Sequence, residues 1–142
     1  MTAKQLSVFI ENRKGRLSEV LDVLKANGVN ILSLSLADTT EYGLLRLIVN
    51  DPALGKEKLT EKGFSSLLTD VLILKIAHVA GSLQELLKAI EAADINVEYM
   101  YGLSIENEDA YVVLKTSDAE KTFDVLRENG IDTILPEKLQ KL

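Results

Sequence analysis

Two short loops carry the residues of this chain whose chemistry suits ligand recognition. Asn12-Arg13-Lys14-Gly15-Arg16-Leu17 runs into one apolar segment, and His78-Val79-Ala80-Gly81-Ser82-Leu83 runs into another. A glycine set just ahead of a helix leaves several backbone N–H groups without partners inside that helix. Together with the positive helix end, those groups favour an anion such as a carboxylate. Asn12 adds a side-chain amide, which can donate to a carboxylate or accept from an ammonium.

Other chemistries find little to work with. His78 is the only histidine and there is no cysteine, so thiolate catalysis, a histidine triad and disulfides are excluded. A lone histidine in a turn is also available for plain solvation or for capping a backbone group. Glu106, Glu108 and Asp109 cluster at a turn, but no EF-hand loop surrounds them. The glycines match neither phosphate-binding fingerprint. RNA modules of similar topology stack bases on strand aromatics in a basic surround. Here the corresponding strands carry Leu6, Val8, Leu72 and Leu74, and the net charge is −6. That charge also disfavours an anionic membrane surface. Asn12-Arg13-Lys14-Gly15-Arg16 faintly echoes an acylphosphatase loop, without further support. No catalytic residue, metal or cofactor is expected, and the chain reads as not an enzyme.

The elements that must position these loops occur twice. Gly81 follows Gly15 by 66 residues, and at that offset Leu6 falls on Leu72, Ile10 on Ile76, Glu19 on Glu85, Leu21 on Leu87 and Asn30 on Asn96. Gly63 and Gly130 match with one residue of slippage. Leu6, Val8 and Ile10 alternate as in a strand, whereas Leu17, Val20, Leu21 and Leu24 have helical spacing. The order is strand, helix, hairpin, helix, strand in each copy, with turns at Asp38 to Gly43 and at Glu106 to Asp109. This predicts an α+β fold: two ferredoxin-like βαββαβ modules side by side, each an antiparallel sheet with helices on one face. Residues 1–69 form the first module and 70–142 the second, joined at Thr69-Asp70 without a flexible linker. Of the 142 residues 46% are hydrophobic and 27% charged, as in soluble globular proteins. With no signal-peptide pattern at the amino terminus, a cytoplasmic location is expected.

In these residues the chain resembles the ACT domain family, the small-molecule-sensing modules of amino-acid metabolism. The family's first loop reads Asp or Asn, Arg, Pro, Gly, any residue, Leu. Asn12, Arg13, Gly15 and Leu17 match it, with Lys14 in place of proline. The second copy matches at Gly81 and Leu83, and Gly28-Val29-Asn30-Ile31 has its counterpart in Ile95-Asn96-Val97. The resemblance implies an amino-acid ligand at the seam between the two modules. One site would use Asn12, Gly15, Arg16 and Leu17 with Asn96, Val97 and Tyr99. A weaker one would use His78, Gly81, Ser82 and Leu83 with Asn30, Ile31 and Ser33.

Plainer roles stay open for each. The glycines permit tight turns, Leu17 and Leu83 begin apolar helix faces, Asn30 and Asn96 follow helix stops, and Tyr99 and Tyr101 suit a strand surface. The function implied is non-enzymatic allosteric regulation by a bound amino acid, in a homodimer joined through sheet edges or helices. The alternative is a regulatory subunit docking on an enzyme of amino-acid biosynthesis, similar to the small subunit of acetolactate synthase, with ligand binding secondary or absent.

Overall fold

The computed structural model describes residues 2–38, 41–106 and 108–139. Thr39 and Thr40 of the first expected hairpin turn, and Asn107 of the second, lie outside those residues. In chain order the elements are β1 (Ala3–Glu11), α1 (Arg16–Ala26), β2 (Ile31–Asp38), β3 (Tyr42–Val49), α2 (Pro52–Glu61) and β4 (Ser65–Ala77). They are followed by α3 (Ser82–Ala92), β5 (Val97–Glu106), β6 (Asp109–Thr116), α4 (Ala119–Glu128), β7 (Asp132–Thr133) and α5 (Pro136–Leu139).

The chain divides into two compact units, Lys4–Thr69 and a second that joins the residues before Lys4 to the chain from Asp70 onward. Both are ferredoxin-like α+β modules. In the first, the strand order is β2-β3-β1, followed by the Ser65–Thr69 part of β4. In the second it is β5-β6-β4-β7, with β4 contributing from Asp70. The two strands expected on either side of Thr69-Asp70 are a single strand of 13 residues. The last strand is shorter than its sequence suggested, and a one-turn helix follows Pro136.

Alternation places the cores. Leu6 opposes Leu47 and Val8 opposes Leu45 across β1 and β3, so all four side chains share one sheet face. That face packs on Val20 and Leu24 of α1 and on Leu59 of α2. In the second unit Leu72, Leu74 and Leu114 pack on Leu86 and Ile90 of α3 and on Leu126 of α4. Each such side chain contributes about 1.5–3 kcal/mol by leaving water. On the other face of the first sheet Gln5 and Ser7 are buried, and Gln5 Nε2 donates to Ser7 Oγ at 3.0 Å. Burial of these polar groups is tolerable because they are paired.

The helix ends fall into two kinds. Asp51 and Asp118 cap α2 and α4, accepting from Leu54 N–H at 3.1 Å and from Lys121 N–H at 3.0 Å. Such a cap is worth about 1 kcal/mol. By contrast, α1 and α3 begin on Gly15 and Gly81, N-cap residues with no side chain to supply a cap. The turn after α1 closes on Gly28 at φ +70°, and its counterpart after α3 is Asp94, held at φ +60°.

Candidate functional site

The loop before α1 is built by short-range hydrogen bonds. Asn12 N–H donates to the Glu41 carbonyl at 2.9 Å, and Arg16 N–H reaches the Arg13 carbonyl at 3.3 Å. The second loop repeats the pattern, with His78 N–H on the Glu108 carbonyl at 2.6 Å and Ser82 N–H on the Val79 carbonyl at 3.3 Å. Both loops then enter their helices through left-handed glycines, Gly15 at φ +89° and Gly81 at φ +90°. A β-carbon at Gly15 would meet nothing within 4 Å, so only the backbone demands glycine there. Gly15→Ala is therefore expected to cost about 1–2 kcal/mol through the left-handed conformation alone. Urea unfolding measures it, and a neutral result would contradict that backbone requirement.

In the first unit the loop borders a pocket of about 290 Å3, lined by Ile10, Glu11, Asn12, Arg13, Leu17, Leu36 and Gly43. Asn12 and Leu17 thus meet, whereas Gly15 and Arg16 are not among its walls. Arg16 turns elsewhere: its Nη1 lies 2.6 Å from Glu19 Oε2 and its guanidinium carbon 4.3 Å from the Phe64 ring centre. Within the pocket wall Glu11 pairs with Arg13 Nε at 2.9 Å. Both are exposed, so the pair contributes little stability and leaves both charges within reach of a ligand.

Gly43 is a wall the sequence reading missed. It faces Ile10 across the β1–β3 ladder, and a β-carbon on it would lie 3.2 Å from Ile10 Cγ1 and 3.3 Å from Leu36 Cδ1. The matching register in the second unit pairs Ile76 with Ala110. The one available signal was this glycine at the start of a returning strand.

The remaining candidates separate by unit. Asn30 and Asn96 use their main chains in matching turn bonds. Asn30 N–H donates to Asn50 Oδ1 at 2.8 Å, and Asn96 N–H donates to Ser117 Oγ at 3.1 Å. The following residues, Ile31 and Val97, pack against their own cores. Each strand then bulges by one residue, between Ile31 and Ser33 in β2 and between Val97 and Tyr99 in β5. The bulge turns Ser33 and Tyr99 to the sheet face away from the helices. Tyr99 and Tyr101 stack there with ring centres 6.5 Å apart. Asn30 and Ile31 line a cleft with Leu21, Lys25, Gly28 and Val29. His78 and Gly81 sit in the second loop, Leu83 is 41% exposed, and Ser82 lines a third pocket on α3.

Among the described residues no group of three or more His, Asp or Glu side chains is placed to hold a metal ion. No helix among them is long and apolar enough to cross a membrane.

The family model described as ACT domain pair matches residues 1–142. Among solved structures, a protein from Bacteroides thetaiotaomicron shares 37% identity and superposes with a TM-score of 0.93, covering 100% of this chain and 98% of that one. The ligand-free regulatory subunit of aspartate kinase from Thermus thermophilus shares 17% identity at a TM-score of 0.62, covering 88% and 91%. Aspartate kinase from Clostridium acetobutylicum shares 15% at a TM-score of 0.56, covering 87% of this chain and 32% of the enzyme. These last two likenesses are of fold. No curated protein matches the chain.

Proposed function

Because the chain belongs to the ACT domain pair family, we propose that it is a non-enzymatic regulatory protein that senses an amino acid at the loop before α1. The observation that carries this reading is the pocket beside that loop, whose groups suit a zwitterion. The N-terminus of α1, whose N-cap Gly15 supplies no side-chain acceptor, and the Arg13 guanidinium favour the carboxylate. Asn12 offers a further donor, and the Glu11 carboxylate suits the ammonium. Ile10, Leu17 and Leu36 give an apolar wall for the side chain. The volume sits near the lower end of the roughly 300–1,000 Å3 of ligand pockets, which favours a single amino acid over a nucleotide. The loop before α3 is a degenerate copy, with His78 where the first has Asn12.

A sensor acts by differential affinity. The amino acid binds one conformation of the protein better than another and shifts the population toward it. The consequence is read by an enzyme of amino-acid metabolism that docks on the protein.

Thermal unfolding against each standard amino acid tests the reading. At about 100 times its dissociation constant, a ligand adds roughly 2.7 kcal/mol. That amounts to a rise of about 5–10 °C for a chain of this size. One or a few amino acids are expected to give it, and Asn12→Ala and Glu11→Gln to remove most of it. A full panel without any shift, or a shift indifferent to both substitutions, would overturn the assignment.

A further inference from the structure

The two units are copies of one plan, so each shows what a position in the other does when its residue changes. In the first unit, Arg16 fills the space between α1 and the turn after α2. Its side chain is 17% exposed, its guanidinium pairs with Glu19 and lies over Phe64, and its Nε is buried without a hydrogen-bond partner. The repeat carries Arg16 onto Ser82, Val23 onto Ala89 and Phe64 onto Ile131, so all three fillers shrink. It carries Glu19 onto Glu85, so the carboxylate stays.

At this place the second unit has an open pocket of about 260 Å3, bordered by Ser82, Glu85, Ala89, Asn129 and Ile131. Lys75 also borders it, but its Nζ is held 3.4 Å from Asp109. Among the described residues the Glu85 carboxylate has no ion-pair or hydrogen-bond partner, its main-chain N–H being bonded to the Gly81 carbonyl, whereas the Glu19 carboxylate is satisfied by Arg16. An arginine-shaped space has thus kept its counter-ion and lost its arginine.

We infer that this pocket binds a small alkylguanidinium ion, free in solution, whose head takes the place that Arg16 fills in the first unit. Glu85 pairs with the planar cation as Glu19 does with Arg16, a geometry that a guanidinium satisfies better than an ammonium. Ser82 Oγ and the Asn129 side-chain carbonyl are further acceptors for its N–H groups. Ile131 and Ala89 give the apolar surface on which the weakly hydrated face rests. The site is separate from the pocket before α1 and does not rest on the amino-acid reading of that pocket.

Ethylguanidinium is the probe, because it has the head group and no carboxylate to engage a helix N-terminus. Titrated to ~20 mM against the labelled full chain, it is expected to give saturable amide shifts at Glu85, Ala89 and Ile131, with a dissociation constant in the millimolar range. Ethylammonium is expected to bind more weakly. Glu85→Gln is expected to weaken the ethylguanidinium site by up to about fivefold, since the carboxylate is exposed. Ser82→Arg supplies the guanidinium covalently, and is expected to abolish binding and raise the thermal midpoint. The reciprocal Arg16→Ala is expected to open a second ethylguanidinium site around Glu19 and Phe64. The assignment is overturned if no saturable shifts arise around Glu85, if they persist unchanged in Ser82→Arg, or if ethylammonium produces them equally well.

Discussion

Leu24→Ala is expected to lower the unfolding free energy by about 2–5 kcal/mol, a drop on the order of 10 °C in thermal midpoint. Leu24 has no exposed surface and lies in the first core with Leu6, Leu45, Leu47 and Leu59. Removing its isobutyl group forfeits the transfer free energy and leaves a cavity that strands on one side and a helix on the other cannot close. Leu83 supplies the contrast. It also lies on a helix, but is 41% exposed, so Leu83→Ala is expected to change stability by no more than about 0.5 kcal/mol. Urea unfolding of both variants decides the matter, and equal losses would mean that the first core is not where these residues place it.

The second large effect is expected at Gly55, where α2 crosses the core. A β-carbon there would lie 3.0 Å from Leu6 Cδ2 and 3.4 Å from Leu24 Cδ2, both on fully buried side chains. Two terms oppose each other. Alanine gains about 1 kcal/mol of helix propensity over glycine, and a single methyl in a tight space loses a similar amount. Gly55→Ala is therefore expected to fall within about 1 kcal/mol of the parent. Gly55→Leu drives three more carbons into the same gap, so strain dominates and a loss of about 2–3 kcal/mol is expected. The second unit has Thr122 at this position, fully buried, with its Oγ1 2.7 Å from Thr116 Oγ1 and 2.6 Å from the Asp118 carbonyl. A stable Gly55→Leu variant would show that the helix can move outward.

Much of the fold was legible because its signals are local. Leu6, Val8 and Ile10 declare a strand at a spacing of two, and Leu17 to Leu24 a helix at a spacing near four. Asp118 declares its cap by type and place, and the 66-residue repeat doubles each of these readings. What was not legible depends on distant partners. The family resemblance puts Arg16 among the ligand-site residues, yet its guanidinium lies over Phe64, a residue no local pattern connects to it. Gly43 becomes a pocket wall only once the register sets it opposite Ile10. The single run of β4 through Thr69-Asp70 was hidden for another reason. The repeat marks where one copy ends, and nothing in that marks where the backbone bends. Of the proposed loop residues, Asn12 and Leu17 could be placed from sequence because a glycine and an amphipathic helix flank them.

The paired bulges in β2 and β5 bear on what the outer strands offer to a foreign strand. β2 and β5 are the outermost strands of their units, and each bulges within its first three residues, with a second bulge in β5 between Gly102 and Ser104. A regular outer strand offers an unbroken row of amide and carbonyl groups on which foreign strands can template into fibrils. A bulge kinks that row and strengthens its twist. An incoming strand then finds a regular row shortened to Ser33–Asp38 on β2 and divided in two on β5. Leu34 and Leu36 are about half exposed on β2, where a straight strand of such composition would invite amyloid-like growth. The duplicated irregularity shortens the regular row that so apolar a margin presents.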